Sequence, residues 1–440
     1  MLKGLPRLAM GALVVASTFA ATPAFAQTPL KIDAADTAWM ICATAFVLMM
    51  TIPGLALFYS GMVRKKNVLA TMAQSLAATF AVSVLWAVLA YSLTFTGNGA
   101  LLGSLSRIFL KGMEINSIST LAPTIPESLF MIYQMTFAVI TVALVAGSVA
   151  DRLRFSAFML FCVLWLFIVY VPIAHWIWGG GFLQAYGTID FAGGLVVHLN
   201  AGVAGLVAAL VIGRRRGYGH DNLAPFDLSL AVIGTGLLWV GWFGFNGGSA
   251  LAANGRAAMA IVCTHLAASA GAATWMAIEW KTRGKPSVLG MISGAVAGLG
   301  TITPASGFVT PMEALLIGFI AGGVCFWSCT WLKLKLNYDD SLDVFGVHGI
   351  GGLTGTLLAG VFAVGAVSAS TEVPNGIQGL IEGNVHLVWA QLYGIVVIAA
   401  WSGIATFGIL KLIGVIVPLR VRQEDEVVGL DVSQHGEALQ

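Results

Sequence analysis

Charged side chains are scarce in this sequence. Lys, Arg, Asp and Glu make up 10% of the 440 residues, whereas 58% of the residues are hydrophobic. Soluble domains carry roughly 25% charged residues, so this composition excludes an ordinary soluble fold. The net charge is +2, and the Lys and Arg residues lie in short turns instead of forming one basic patch. This distribution argues against nucleic-acid binding. The chain therefore needs a lipid bilayer as its solvent.

Cysteine is also sparse, with five residues in the whole chain. Each lies inside an apolar run, and no pair has the CxxC spacing of a metal or redox site. This pattern excludes a disulfide framework and predicts a packing role. The five are Cys42, Cys162, Cys263, Cys325 and Cys329.

Long apolar runs are abundant and are separated by short polar turns. A membrane-spanning helix needs about 20 apolar residues. The runs predict an all-α polytopic membrane protein with eleven transmembrane helices. We place them at 38–62, 68–94, 128–149, 155–178, 191–212, 228–246, 257–280, 287–304, 311–334, 344–367 and 387–417.

The first 26 residues have the form of a signal peptide. Lys3 and Arg7 precede a short apolar stretch, and Ala24-Phe25-Ala26 follows as a small-x-small cleavage site. A retained first helix is the alternative. Cleavage would leave a membrane domain at 27–417 and a tail at 418–440. A signal peptide of this form predicts that the membrane is a bacterial inner membrane.

Positive charges divide unevenly between the two sets of turns. Thirteen Lys and Arg residues lie in one set, whereas the other holds Arg107, Lys111 and Arg256. Positive residues are retained on the cytoplasmic side. The mature N-terminus is therefore expected in the periplasm and the C-terminus in the cytoplasm.

Two predicted spans, the fifth and the tenth, begin alike. The sequence DFAGGLVVH at 190–198 resembles DVFGVHG at 343–349. Five spans are an odd number, so two such halves in tandem must be inverted relative to each other. We expect a 5+5 inverted repeat with one additional C-terminal helix.

Ionisable residues within these spans are few. Each costs roughly 2.5–3.5 kcal/mol to insert and therefore needs a partner or a function. His198 and His348 hold matching positions, so the inverted repeat would bring them together near the membrane centre. Asp190 precedes its span, where capping the helix is favoured over direct cation binding, and Asp343 is interpreted in the same way.

Aromatic residues form the second candidate group. Trp178 is followed by three glycines, and Phe245 is followed by Asn-Gly-Gly-Ser249. Membrane tryptophans are commonly interfacial anchors. Next to bare backbone, an aromatic face and a hydroxyl could instead hold a small cation, with an attraction of about 2 kcal/mol when desolvated.

At this point the residues resemble a known family, the Amt/Mep/Rh ammonium transporters, in the bacterial Amt branch. The resemblance covers nearly the whole mature chain. It is carried by TIPGLALFYSG at 51–61, DFAGGLVVH at 190–198, GWFGFNGGS at 241–249 and DVFGVHG at 343–349.

The resemblance implies a role for individual residues. Trp178, Ser249 and Phe137 would form an outer ammonium site, and Phe137 with Phe245 a stacked gate below it. The twin histidines, His198 and His348, would line the pore, and Asp190 would support the outer site structurally. The chain has Tyr133 where some relatives have phenylalanine near the gate.

The implied function is ammonium transport, not catalysis, with no cofactor. Ammonium would lose a proton near the gate and cross as ammonia, and the sequence leaves open whether the proton also crosses. Two alternatives are a bis-histidine haem protein and a membrane ammonium sensor. No soluble redox domain follows the spans, and the eighteen residues after Arg422 are too few for a signalling domain.

Assembly and regulation are also implied by the resemblance. Members form trimers and meet PII-type signal proteins at the cytoplasmic face. The tail segment GLDVSQHGE at 429–437 resembles the family's cytoplasmic end, although Val427 and Val428 interrupt the acidic run before it. The alternative is a disordered charged tail.

Overall fold

The computed structural model describes residues 30–370 and 373–439. The predicted signal peptide at 1–26 and its cleavage site lie outside the described residues.

The described chain is helical, and the predicted all-α membrane fold is confirmed. Most of the long helices are apolar enough to cross a bilayer. In chain order the ten candidate spans, together with the shorter helices α8 and α12, are α1 Ala34–Met62, α2 Lys65–Phe95, α3 Glu127–Val149, α4 Phe155–Tyr186, α5 Gly194–Ile212, α6 Leu228–Gly247, α7 Gly255–Arg283, α8 Val288–Ile302, α9 Pro311–Leu336, α10 Phe345–Phe362, α11 Val385–Ile416 and α12 Gln423–Val428.

The predicted eighth span differs from the others. Helix α8 is apolar but has 15 residues, which correspond to about 23 Å of helix and less than the hydrocarbon thickness. Over 30–370 and 373–439, ten helices have the length and composition of a membrane span. The count of eleven therefore remains a prediction.

Helix starts follow local capping chemistry. Asp33 caps α1, Asp227 caps α6 and Asn254 caps α7, each with a side-chain oxygen that accepts backbone N–H bonds of the first turn. Such caps supply partners for donors that the helix cannot satisfy itself. They explain why these boundaries fall within a few residues of those predicted.

Helices α5 and α10 cross in the middle of the molecule. A Cβ built on Gly202 of α5 would lie 2.2 Å from the Cα of Gly349 in α10, so the two backbones are in direct contact. Small residues permit this approach in membranes, where packing drives helix association. The crossing places the two predicted histidine-bearing segments side by side.

The C-terminal tail is ordered against the helical bundle. Lys66 Nζ donates to the carbonyl oxygens of Glu426 and Val427, each at 2.7 Å. Asp431 Oδ1 accepts from the backbone N–H of Ala70 at 2.7 Å. The alternative of a disordered tail is therefore wrong for the described residues.

Candidate functional site

The two predicted histidines lie in contact. His198 Nδ1 and His348 Nδ1 are 3.2 Å apart, and the rings stack at 16° with centroids 5.2 Å apart. The two residues are buried, with 1% and 5% of their surfaces exposed. Each lies in a π-helical turn, at Gly194–Leu199 and Phe345–Gly349, and such turns are frequent at functional sites.

The contact between the two Nδ1 atoms determines which ring nitrogens carry a hydrogen. At this distance one Nδ1 must donate and the other must accept, so the two rings hold complementary tautomers. His198 Nε2 is buried and has no partner among the described residues. One face of His198 packs against Trp242, with ring centroids 5.4 Å apart. The pair therefore keeps a free nitrogen in an otherwise apolar setting.

Asp190 organises the backbone that leads to His198. Its Oδ1 accepts from the N–H groups of Gly193 and Gly194 at 2.8 and 2.7 Å. Its Oδ2 accepts from those of Leu195 and Val196 at 2.7 and 3.1 Å. Four backbone donors engage this carboxylate, which is the capping arrangement and leaves it no free side for direct cation coordination.

The prediction that Asp343 caps the matching helix is wrong. Asp343 Oδ1 pairs with Lys333 Nζ at 2.7 Å, and the residue has a φ of 57°. Asp340 takes the capping position, where its Oδ2 accepts from the backbone N–H of Phe345 at 2.7 Å. Asp340 precedes His348 by eight residues, the same spacing as Asp190 and His198, and this spacing is the sequence signal that identifies it.

The two predicted gate residues stack on each other. The rings of Phe137 and Phe245 have centroids 4.3 Å apart at an interplanar angle of 27°. The first is 1% exposed and the second is fully buried. Phe137 lines the space beside Trp178, and Phe245 lines the space beside the histidines.

A cavity of about 190 Å³ lies on one side of the stacked rings, and we call it the Trp178 cavity. Phe137, Trp178 and Ser249 all line it. The Trp178 and Phe137 rings meet edge to face at 5.7 Å, and Trp178 Nε1 donates to the carbonyl oxygen of Asp190 at 2.8 Å. The sequence prediction thus named residues that meet at one cavity.

Hydroxyl groups hold the backbone beneath this cavity. Ser249 Oγ donates to the Phe245 carbonyl oxygen at 2.8 Å, which leaves its lone pairs free to accept. The Tyr133 hydroxyl lies 3.0 Å from the carbonyl oxygens of Gly244 and Phe245 and 3.4 Å from Ser249 Oγ. A phenylalanine at 133 would lack this contact, so the departure noted in the sequence has a structural role.

Two further cavities lie beside the histidine pair. A small cavity of about 10 Å³, lined by Phe245, His198 and His348, has room for about one water-sized sphere. His348 also lines a wider cavity of about 260 Å³ at the Arg215 end, which we call the Arg215 cavity. The stacked Phe137 and Phe245 rings stand between the Trp178 cavity and the small cavity, and His348 lines both the small cavity and the Arg215 cavity.

His175 and His265 do not line these cavities. Both ring nitrogens of His175 lie near carbonyl oxygens, those of Thr94 and Gly99, at 2.7 and 2.6 Å. His265 contacts the Trp239 ring on the exposed side of α7. Within 30–370 and 373–439, no three His, Cys, Asp or Glu residues form a metal-binding group. The direct stacking of His198 on His348 leaves no space for a haem between them.

Comparison with known proteins identifies close relatives. The model of the Ammonium Transporter Family matches residues 38–439. An ammonium transporter of Bacillus subtilis is 47% identical over 404 residues, which cover 91% of this chain and 97% of that protein.

Solved structures agree in fold. The crystal structure of Saccharomyces cerevisiae Mep2 superposes with a TM-score of 0.82 at 37% identity, covering 89% of this chain and 88% of the other. A protein described as a sensor Amt protein superposes with a TM-score of 0.83 at 28% identity, covering 91% and 98%.

Proposed function

The chain belongs to the Ammonium Transporter Family, and on that premise we propose that it conducts ammonium across a bacterial inner membrane through the path between the Trp178 and Arg215 cavities. The observation that carries the proposal is the buried His198–His348 contact at 3.2 Å, beyond the stacked phenylalanines. An apolar channel with one polar pair suits a small solute that both donates and accepts hydrogen bonds.

Recruitment is proposed to occur in the Trp178 cavity. The Trp178 and Phe137 rings offer cation–π contacts, and Ser249 Oγ offers an acceptor that replaces part of the hydration shell. A desolvated cation–π contact contributes about 2 kcal/mol. This combination favours a small monovalent cation that carries N–H donors.

The stacked rings of Phe137 and Phe245 are proposed to act as the gate. The space beyond them is about 10 Å³ and almost entirely apolar, so a charged ion would lose most of its solvation there. Ammonium can give up a proton and proceed as ammonia, whereas potassium has no proton to lose. The discrimination is therefore chemical, because the two ions have similar size and charge.

The histidine pair is proposed to accompany ammonia through the narrow segment. Complementary tautomers offer both a donor and an acceptor, and His198 Nε2 has no other partner in the described chain. The same pair could relay the proton, which would make transport electrogenic. Among the described residues that line the small cavity, the two imidazoles then provide the polar contact, because the Trp242 N–H is bonded to Thr303.

Topology and assembly follow from the same proposal. We place the Trp178 cavity at the periplasmic side and the Arg215 cavity and tail at the cytoplasmic side, in agreement with the charge distribution between turns. His265 is exposed on the apolar helix α7, where lipid offers it no partner, which supports a homotrimer that buries this face. The ordered tail offers a surface for a PII-type protein.

A membrane ammonium sensor is the second candidate, because one structural neighbour is described as a sensor Amt protein. The same cavity would bind ammonium in both cases. The two functions differ in whether bound ammonium proceeds past the gate.

Proteoliposomes containing the purified chain separate the two candidates. Ammonium and potassium are added in equal pulses while internal pH and transient current are recorded. A transporter gives a pH change or current with ammonium and none with potassium, and a current shows that charge moves. Binding of ammonium without either signal would support the sensor and overturn the transport proposal.

A further inference from the structure

Arg256, which has no counter-ion among the described residues, lies behind the wall of the Trp178 cavity. The guanidinium carbon of Arg256, in the first turn of α7, lies 4.9 Å from the ring centroid of Phe191 and 4.8 Å from that of Phe308. Its Nε donates to the Gly307 carbonyl oxygen at 2.8 Å. The guanidinium is thus held by two aromatic rings and one carbonyl group.

Arg256 differs in its partners from Arg107, which lies in the same predicted set of turns. Arg107 forms an ion pair with Glu127 at 2.9 Å. In the part of the chain that the structure describes, no carboxylate lies within ion-pair distance of Arg256. A guanidinium keeps its charge throughout the physiological pH range. The positive charge of Arg256 is therefore paired with no carboxylate of residues 30–370 and 373–439 and is offset only by two aromatic rings and one carbonyl oxygen.

Phe191 connects this charge to the cavity. Its ring lines the Trp178 cavity, together with Trp178 and Ser249. A Cβ built on Gly307 would lie 2.2 Å from the same ring, so Gly307 and Arg256 both contact it closely. The ring is consequently fixed between the cavity and the guanidinium.

We propose that Arg256 is a positioning residue that fixes Phe191 as a wall of the Trp178 cavity and whose unpaired charge lowers the cavity's affinity for monovalent cations. The inference rests on the proposed function of that cavity. Conduction requires an entry site that binds an ion and also releases it, and a site that binds too tightly would retain its ion. A like charge behind the wall weakens binding without occupying the site.

The expected size follows from Coulomb's law. At an assumed separation of about 10 Å, two unit charges change an equilibrium constant about twofold in bulk water and about sixteenfold at an effective dielectric constant of about 20, and a cavity partly open to solvent lies between these limits, at about fourfold. Removing the charge should therefore lower the half-saturating ammonium concentration about fourfold.

The test uses the full-length protein in proteoliposomes and compares Arg256→Met and Arg256→Gln with Arg256→Lys. The two neutral variants are expected to lower the half-saturating ammonium concentration about fourfold. The lysine variant, which retains the charge, should stay within about twofold of the wild type. A purely structural role would instead raise this concentration or lower the maximum rate in all three variants.

Phe308→Glu provides an independent variant should the neutral ones not fold, because it keeps Arg256 and offers it a carboxylate. It should also lower the half-saturating concentration. Unchanged values in the neutral and glutamate variants, or an equal shift in the lysine variant, would overturn the inference. A wild-type protein that transports no ammonium would overturn the proposed function itself, so the two failures are distinguishable.

Discussion

Trp178 has two constraints that together fix its ring in the cavity wall. Its Nε1 is bonded to the Asp190 carbonyl oxygen, and its edge contacts Phe137. The ring face therefore cannot rotate away without breaking a partly buried hydrogen bond. A cation in the cavity meets an aromatic surface that is already oriented.

Replacing Trp178 with leucine should weaken ammonium recruitment. The substitution keeps an apolar side chain but removes the cation–π face, worth about 2 kcal/mol, so the half-saturating ammonium concentration should rise by up to about thirtyfold. Uptake kinetics in proteoliposomes measure this change. Trp389→Leu is the matched control, because Trp389 is 63% exposed on α11 and should leave uptake unchanged. An unaffected Trp178→Leu variant would contradict the recruitment site.

Individual site residues were predictable from sequence to different degrees. His198 and His348 were identified because they match across a repeat, and the structure brings them together. Asp343 was misassigned because its neighbours resemble those of Asp190, although the spacing to the histidine favours Asp340. The roles of Tyr133 and Arg256 depend on contacts between distant helices, which a single sequence does not encode locally.

The crossing of α5 and α10 determines the separation of the histidines. Both rings lie in π-helical turns next to the point where Gly202 meets Gly349. Because the two backbones touch, any side chain at the crossing would push the helices apart. The distance between the two histidines therefore depends on how closely α5 and α10 pack.

Gly202→Ala should reduce transport, because it would force α5 and α10 apart at their crossing. The added Cβ would lie 2.2 Å from Gly349 Cα, which requires the helices to separate. Displacement of a functional group by about 1 Å can cost a hundredfold, so we expect at least a roughly tenfold loss of uptake rate. Gly236→Ala on α6 is the control, because its Cβ would have no neighbour within 4 Å. Equal uptake by both variants would contradict this explanation.

The loop between α9 and α10 is held by a buried ion pair. Arg215 Nη2 lies 2.7 Å from Asp339 Oδ1, and the Asp339 side chain has no exposed surface. Burial by itself raises the pKa of Asp339, but the hydrogen bonds and charge of Arg215 outweigh it, so the net pKa lies below the usual carboxyl value. The stabilisation is therefore present above the usual carboxyl pKa and is lost as the pH falls through the lowered folded value.

Asp339→Asn should consequently destabilise the protein at neutral pH and have less effect in acid. Breaking a buried pair costs about 3 kcal/mol. Thermal unfolding of detergent-solubilised protein at pH 7 and at about pH 3 would compare the variant with the wild type. The difference in midpoint should shrink at low pH, and the exposed Asp221→Asn variant should show no difference at either pH. A difference that persists in acid would argue against the ion pair as its source.

Helix boundaries were largely accessible from the sequence because the apolar runs and caps are local features. The eighth span shows the limit of that reasoning. Its apolar run covers 287–304, but the helix ends at Ile302 and a turn follows. A hydropathy profile includes the turn after Ile302 in the span, because the residues of that turn are also largely apolar and small. Hydropathy alone therefore cannot distinguish a helix from buried irregular backbone.

Across the whole molecule, the tail contacts the ends of several helices on the side of the Arg215 cavity. Arg420 pairs with Glu426, and Lys66 of α2 holds the end of α12. Asn67 Oδ1 accepts from the backbone N–H of Leu430 at 2.8 Å. The contacts of Lys66 and Asn67 link residues about 360 positions apart, so sequence periodicity did not reveal them.

Lys66→Met should release the tail without unfolding the bundle. The variant removes two charge-assisted hydrogen bonds at the end of α12, each worth about 1.5–3 kcal/mol. Hydrogen exchange over 423–439 should become faster, while exchange in the histidine-bearing helices stays slow. Lys65→Met, which alters an exposed neighbour, should leave tail exchange unchanged. Fast tail exchange already present in the wild type would contradict the docked arrangement.

The central claim is that ammonium crosses the membrane past the contact between His198 and His348. The most direct test records current and internal pH in proteoliposomes that hold the wild type or a His198→Ala, His348→Ala double variant, with ammonium and potassium pulses. The account predicts that the wild type responds to ammonium alone and that the double variant loses either the response or the discrimination against potassium. A double variant that keeps both the wild-type rate and the wild-type discrimination would contradict it.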